Sequence, residues 1–244
     1  MIKEEFFDLY KKIFAKNQLE DYCSDKIIEK MFEMSEYMLQ VNTNMNLTAI
    51  KDERAIILRH YADSLRVSKY LREGARIIDV GCGAGFPTLP LAIFRPDLDI
   101  TALDSTAKRI EYVRSTAQML GLDNVVAIAA RAEDLANAKE YRECFDYATA
   151  RAVASLPVLT ELCLPFVKVG GEFVAMKAQK AAEELSLSGN AIQKCGGTFK
   201  VSNLEPLIDT DGSSESRAII VVSKTSRTPR EFPRHFSKIS KKPL

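Results

Sequence analysis

Apolar positions along the chain change their spacing near residue 72. Before that point they recur at helical intervals. Phe6, Leu9 or Tyr10, and Ile13 mark one face, and Ile27, Met31, Met34, Met38 and Val41 mark another. Ser24 stands where an N-cap belongs. The methionine stripe reads as core, because an unbranched thioether fills irregular gaps between helices. The run Asn42-Thr43-Asn44-Met45-Asn46 is turn chemistry and predicts the end of that helix. A third helix is expected from about Asp52 to Leu71, with Leu58, Ala62 and Leu65 inward.

Beyond residue 72, short apolar runs alternate with helical stretches. Strands are expected at 76–80, 100–104, 125–129, 145–150 and 171–176, and helices at about 88–94, 106–120, 133–139, 155–167 and 179–195. Gly121 suits the residue after a helix end, and Gly170-Gly171 turns the chain into the fifth strand. Two β-rich runs follow Gly196-Gly197, Thr198–Leu207 and Arg217–Lys224, with the polar turn Asp209–Ser214 between them as in a hairpin. The pattern predicts an α/β protein: a doubly wound, Rossmann-like sheet of about seven strands, the last antiparallel, beneath a helical cap. The expected organisation is a cap over 1–72, a sheet domain over 73–226 and a tail over 227–244.

The stretch Asp79-Val80-Gly81-Cys82-Gly83-Ala84-Gly85-Phe86 joins the first strand to the first helix. Glycines there allow tight-turn dihedrals and a close approach to a ligand. Their G-x-G-x-G spacing departs from the G-x-G-x-x-G of dinucleotide sites, whose third glycine seats a pyrophosphate on the helix N-terminus. Asp79 sets a carboxylate before the loop, which repels a pyrophosphate and suits the ammonium and sulfonium of S-adenosylmethionine. Asp104 ends the second strand, where an acid accepts hydrogen bonds from ribose hydroxyls. The turn resembles motif I of class I methyltransferases that use S-adenosylmethionine, and that is the expected cofactor.

Composition narrows the classes. Hydrophobic content of 46% and charged content of 27% are ordinary for a globular protein. No apolar run approaches the ~20 residues that span a bilayer, and Met1-Ile2-Lys3-Glu4-Glu5 does not read as a secretory signal. Cys23, Cys82, Cys144, Cys163 and Cys195 lie far apart and only two histidines occur, so reduced thiols, no metal and a cytoplasmic location are expected. Net charge is only +1, but the tail carries Arg227, Arg230, Arg234, Lys238, Lys241 and Lys242 against the single acid Glu231. Phe232 and Phe236 among these cations suit contact with phosphates and stacked bases; the alternative is a merely solvated tail.

After the third strand, Arg131-Ala132-Glu133-Asp134 offers a backbone N–H and a carboxylate to an adenine edge, or an acid that begins the next helix. After the fourth comes Ala150-Arg151-Ala152-Val153. Enzymes that methylate exocyclic amines commonly carry an Asn/Asp-Pro-Pro-aromatic element there, and those making C5-methylpyrimidines carry a nucleophilic cysteine. Neither is present; Arg151 and Ser155 stand there instead. Guanine N7 fits such a site, since it has an in-plane lone pair and no proton to lose.

The chain resembles the RsmG (glucose-inhibited division protein B) family of bacterial 16S ribosomal RNA guanine-N7 methyltransferases. The matching blocks are Asn46-Leu-Thr-Ala-Ile50, Arg59-His60-Tyr-Ala-Asp63-Ser-Leu65, Asp79 to Pro87, Arg131-Ala-Glu-Asp-Leu135, Ala150-Arg-Ala-Val-Ala154, Gly170 to Lys177 and the basic tail. The resemblance covers almost the whole chain. It implies methyl transfer from S-adenosylmethionine to N7 of the guanine at position 527 of 16S RNA, directly and in line, within a 30S subunit or assembly intermediate. Expected cofactor contacts are Asp79, Gly81, Gly83, Phe86, Asp104, Ala132, Glu133 and Arg151. Arg151, His60 and Lys177 are the candidates near the acceptor, with Lys177, Arg230, Arg234 and Lys238 meeting RNA. His60 either hydrogen-bonds Asp63 and holds the cap on the sheet or lines the acceptor pocket; Asn46 and Asp63 carry the same two readings. The family tail reads Pro-Arg-x-x-Gly-x-Pro-x-Lys-x-Pro-Leu, but Ser237 and Ile239 replace its Gly and inner Pro. Alternatives are a class I methyltransferase of small molecules or proteins, an RNA-binding protein that keeps the fold without turnover, and, last, a nicotinamide-binding fold.

Overall fold

A computed structural model describes residues 2–244. The cap comprises α1 (Lys3–Lys16), a 3-10 turn at Glu20–Tyr22, α2 (Asp25–Met45), and a composite helix of α3 (Glu53–Ile56), a π segment (Ile57–Ala62), α4 (Asp63–Leu65) and a 3-10 end (Arg66–Tyr70). The alternating part follows: β1 (Arg76–Val80), α5 (Thr88–Phe94), β2 (Asp99–Asp104), α6 (Ala107–Met119), β3 (Val125–Ala129), α7 (Ala132–Leu135), β4 (Phe145–Arg151), α8 (Leu156–Cys163), β5 (Val167–Lys177), α9 (Ala181–Ser186) and α10 (Gly189–Lys194). The chain ends with β6 (Gly197–Leu204), β7 (Leu207–Ile208), β8 (Ser214–Glu215), β9 (Ala218–Lys224) and α11 (Phe236–Lys241).

Seven strands form one sheet in the order β3-β2-β1-β4-β5-β9-β6. β1 to β5 are parallel, and β9 inserts antiparallel between β5 and β6. This is the doubly wound class I methyltransferase sheet. Strand alternation sends Ile77, Ile100, Ala102 and Val174 to one face, where they pack with Tyr10, Met34, Met38, Leu58 and Tyr61 of the cap and with α5 and α6. Ile78, Val80, Leu103 and Ala148 face the other side against Leu156, Leu159 and Cys163 of α8. Cap and sheet thus share one hydrophobic core, as layered packing requires of two amphipathic surfaces.

Several local expectations need correction. α2 runs through Asn42 to Met45, because the Asn42 side chain satisfies the following loop from inside the helix: its Oδ1 accepts from Thr48 N–H (2.9 Å) and its Nδ2 donates to Thr48 O (2.9 Å). The helix stops only at Asn46, which is left-handed (φ 49°). Ile27 and Val41 lie at the edge of the core; Ile28 and Ser35 occupy its centre with the methionines. Ser24 precedes α2 but makes no side-chain cap bond. The expected helix over 179–195 is two short helices broken at Leu187-Ser188, and Leu187 is exposed. The helix expected over 133–139 is the single turn α7, and that over 155–167 ends at Cys163 with a 3-10 turn, Leu164–Phe166, after it. The terminal hairpin bends at Glu205-Pro206, so its outer ends pair separately as β7 and β8.

Candidate active site

Two contiguous cavities open where the parallel strands end. The first, about 400 Å³, lies over the β1–α5 loop and is lined by Gly81, Gly83, Phe86, Asp104, Ala132, Glu133 and Arg151, among others. Its size falls in the range of small-molecule sites, roughly 300–1,000 Å³. Leu103 O of β2 pins the loop, accepting from Gly81 N–H (2.7 Å) and Cys82 N–H (3.0 Å). Asp104 is 6% exposed. Its Oδ2 accepts from Gly83 N–H (3.1 Å) and its Oδ1 from Thr106 N–H (2.8 Å), which fixes the carboxylate at the cavity wall. Gly83 is left-handed (φ 57°), and a Cβ there would meet no protein atom within 4 Å. Backbone can therefore lie directly against a ligand at that point.

Asp79 stands apart from its expected place. It lines neither cavity. Its Oδ2 accepts from the Thr88 hydroxyl (2.7 Å) and its Oδ1 from the Thr149 hydroxyl (3.2 Å), so the carboxylate ties β1 to the start of α5 and to β4. Burial raises its pKa to about 6, against the pull of those two hydroxyls.

The composite cap helix delivers His60. The ring stacks on Phe86 (centroids 4.3 Å apart, 8° between planes), and the Arg151 guanidinium lies 5.4 Å from the same Phe86 centroid. His60 Nε2 bonds Thr48 Oγ1 (3.0 Å), not Asp63. Asp63 is held instead by Arg151 (3.0 Å) and Arg217 (3.4 Å), whose charges are the stronger partners. Burial, and secondarily the Arg151 charge, lowers the His60 pKa to about 3. Its Nδ1 is buried without a hydrogen-bond partner.

His60, Arg151 and Ala152 line the second cavity as well, about 790 Å³, toward β5 and β9. Ala152 has φ 57°, a left-handed value rarely taken by alanine, at this junction. Arg59, Arg66, Lys177, Lys180 and Arg217 join Arg151 there, against Asp63, Glu184, Glu205 and Glu215. Lys177 is committed: Nζ pairs with Glu184 (2.6 Å) and donates to Ala154 O (2.8 Å). Arg66 is less so. Its Nη2 donates to Pro206 O (2.8 Å), but Nε and Nη1 are buried with no hydrogen-bond partner, and the nearest carboxylate, of Glu205, is 3.6 Å from Nε.

Of the expected RNA contacts, Arg230 and Lys238 are exposed. Arg234 is turned inward onto the fully buried Glu161 of α8 (Nη2 to Oε2, 2.6 Å), a place that only the folded neighbourhood reveals. Asn46 lines neither cavity. Sequence reasoning missed Thr48, Arg66 and Phe236. Thr48 lies within the Asn46–Ile50 block, Phe236 reads as a tail aromatic, and Arg66 carries no signal in the sequence. Among the described residues no cluster of His, Cys, Asp and Glu could hold a metal, and no helix is long and apolar enough to cross a membrane.

Comparison with known proteins agrees with this arrangement. A family profile described as "GidB: rRNA small subunit methyltransferase G" matches residues 27–205. A Clostridium perfringens protein named ribosomal RNA small subunit methyltransferase G is 41% identical over 243 residues, 98% of this chain and 99% of that one. One of the same name from Alkaliphilus metalliredigens is 42% identical over 225 residues, 91% of this chain and 93% of its own. Solved structures support the fold. TYW2 of M. jannaschii, in complex with AdoMet, superimposes with TM-score 0.51 at 17% identity, over 66% of this chain and 76% of that one. A SAM-dependent methyltransferase from Methanosarcina mazei gives 0.51 at 16%, over 66% and 97%. S-Adenosylmethionine is the cofactor, and the first cavity suits it: a fixed acid at the end of β2, bare backbone at Gly83 and an aromatic floor at Phe86. With the family profile spanning most of the chain and relatives matching it nearly end to end, the protein belongs to the rRNA small subunit methyltransferase G family.

Proposed function

We propose that the protein transfers a methyl group from S-adenosylmethionine to N7 of one guanine, position 527, of 16S ribosomal RNA. The substrate is presented in the cytoplasm by a 30S subunit or an assembly intermediate. The observation that carries this reading is the character of the junction between the two cavities. His60, Phe86 and Arg151 border it; its carboxylate, Asp63, is engaged by Arg151 (3.0 Å) and Arg217 (3.4 Å), so neither a nucleophile nor an unpaired general base stands there. Cys82 reaches the first cavity, but burial lifts its thiol pKa well above the ordinary value, so no thiolate is available. His60, with a pKa of about 3, is too weakly basic to take a proton. Guanine N7 needs neither service, because its lone pair attacks directly.

When bound, the cofactor supplies an electrophilic methyl group on a sulfonium. Asp104 holds the ribose hydroxyls, Gly81 and Gly83 present backbone to the ligand, and Ala132 with Glu133 meets the adenine. Phe86, stiffened by His60 on its face, fixes the depth of the reactive end. Arg151 is oriented by Asp63 and by Arg59 O (2.9 Å); it borders both cavities and steers the acceptor phosphate or base edge into line. The carboxylates of Asp63 and Glu184 offset the positive charge that N7 methylation leaves on the base. Arg66 and Lys180 make the second cavity attractive to an RNA backbone, while Arg59 and Arg217 pair with Glu215 (2.6 and 2.9 Å).

Labelled-methyl transfer to 30S subunits from a strain lacking the gene, with modified nucleosides resolved by mass, tests the reading. The expected product is 7-methylguanosine at one site. Methylation of an exocyclic amine, a ring carbon or a ribose would overturn the N7 assignment.

A further inference from the structure

We propose that the C-terminal tail is a wall of the cofactor cavity, with Phe236 as a binding residue for the adenosine end of S-adenosylmethionine. From the sequence this basic segment is either an arm for RNA or a solvated tail. The structure docks it instead. Arg234 makes three bonds to the buried Glu161 of α8: backbone N–H and Nε to Oε1 (2.8 Å each) and Nη2 to Oε2 (2.6 Å). Ile239 of α11 is fully buried against Val158 and Leu162 of α8. Upstream, Arg142 Nη2 donates to the carbonyls of Thr228, Pro229 and Phe232 (3.0–3.1 Å).

The docking aims one side chain at the ligand. Phe236 lines the first cavity beside Leu162, Ala132 and Glu133. Its backbone N–H donates to Glu133 Oε1 (3.1 Å), so tail and cavity share one carboxylate. Asp104 marks the ribose end at β2, and β3 is the next strand outward. The base therefore lies over the segment after β3, which is where Phe236 stands. Ser237 and Ile239 fit this role. The His235 side chain accepts from Ser237 N–H at the start of α11, and Ile239 plugs the α8 surface while its N–H donates to His235 O (3.2 Å), a bond that proline at this position could not make.

Binding and docking are then coupled, and coupling is reciprocal: whatever Phe236 adds to cofactor affinity, bound cofactor returns as protection of the tail. The inference rests on the cofactor alone and holds for any methyl acceptor.

Titration calorimetry of the full chain with S-adenosylhomocysteine tests it. Phe236→Ala is expected to weaken binding about tenfold, with Phe236→Tyr close to wild type. Trypsin cleavage after Lys238 and Lys241 in the wild-type protein is expected to slow several-fold at saturating ligand. Wild-type affinity in a folded Phe236→Ala protein overturns the proposal. If circular dichroism shows that variant to be unfolded, the wild-type protease measurement decides, and cleavage indifferent to ligand overturns the proposal.

Discussion

Replacing Asp79 by Asn removes one charge from the centre of the fold at nearly constant volume, and the consequence is a pH-dependent difference in stability. Asp79 is 1% exposed, and burial moves its pKa from 3.8 to about 6. The folded chain therefore holds a proton that the unfolded chain releases between these two values. Stability contributed by this group is highest below pH 3.8, falls as pH rises and reaches its lowest level above 6. At about 1.4 kcal/mol per pH unit the full effect is about 3 kcal/mol. Asparagine cannot ionise, so Asp79→Asn lacks this pH dependence while every other titrating group keeps its own. Subtracting the two stability curves isolates Asp79, whatever the substitution does to the Thr88 and Thr149 hydrogen bonds. The chain has no tryptophan, so urea unfolding is followed by far-UV circular dichroism at intervals from pH 4 to 8. The variant should gain on the wild type by about 2–3 kcal/mol across this range, nearly all of it below pH 7. Curves that stay parallel within about 1 kcal/mol, or that diverge in the opposite direction, would refute the assignment of a costly buried carboxylate.

Two glycines of one loop should separate stability from binding. Gly85 has φ 83°, and an added Cβ would lie 2.4 Å from Leu89 Cδ1 in a filled core, so Gly85→Ala should cost about 2–4 kcal/mol in urea unfolding. Gly83→Ala faces the cavity and should cost about 1–2 kcal/mol of stability while weakening cofactor binding in calorimetry; equal stability losses would contradict this division. His60, with a pKa of about 3, is neutral throughout the working range, so the single-turnover rate should show no limb near pH 6.5. A limb there that vanishes in His60→Gln would mean the imidazole is the titrating group.

The local order of elements was legible in the chain because it follows from period and punctuation. Runs of β-branched and apolar residues such as Ile77-Ile78 and Ile100 to Leu103 can satisfy the buried centre of a parallel sheet, and the intervening stretches carry helical spacing. The glycine loop and the acid ending β2 announced a nucleoside-like ligand for the same reason: both depend on neighbouring residues within one crossover. What escaped the sequence was set by contacts between distant segments. Asp79 and Asp104 are both strand-end acids, but the threonines of α5 and β4 draw the first into the core, while Gly83 and Thr106 hold the second at the cavity. Arg234 looked like any other tail cation until α8 placed a buried carboxylate beside it, and a buried charge demands its partner. Composition could count the cations of the tail. Only the fold, by deciding which of them lies next to Glu161 and which faces water, could separate a clamp from a surface for RNA.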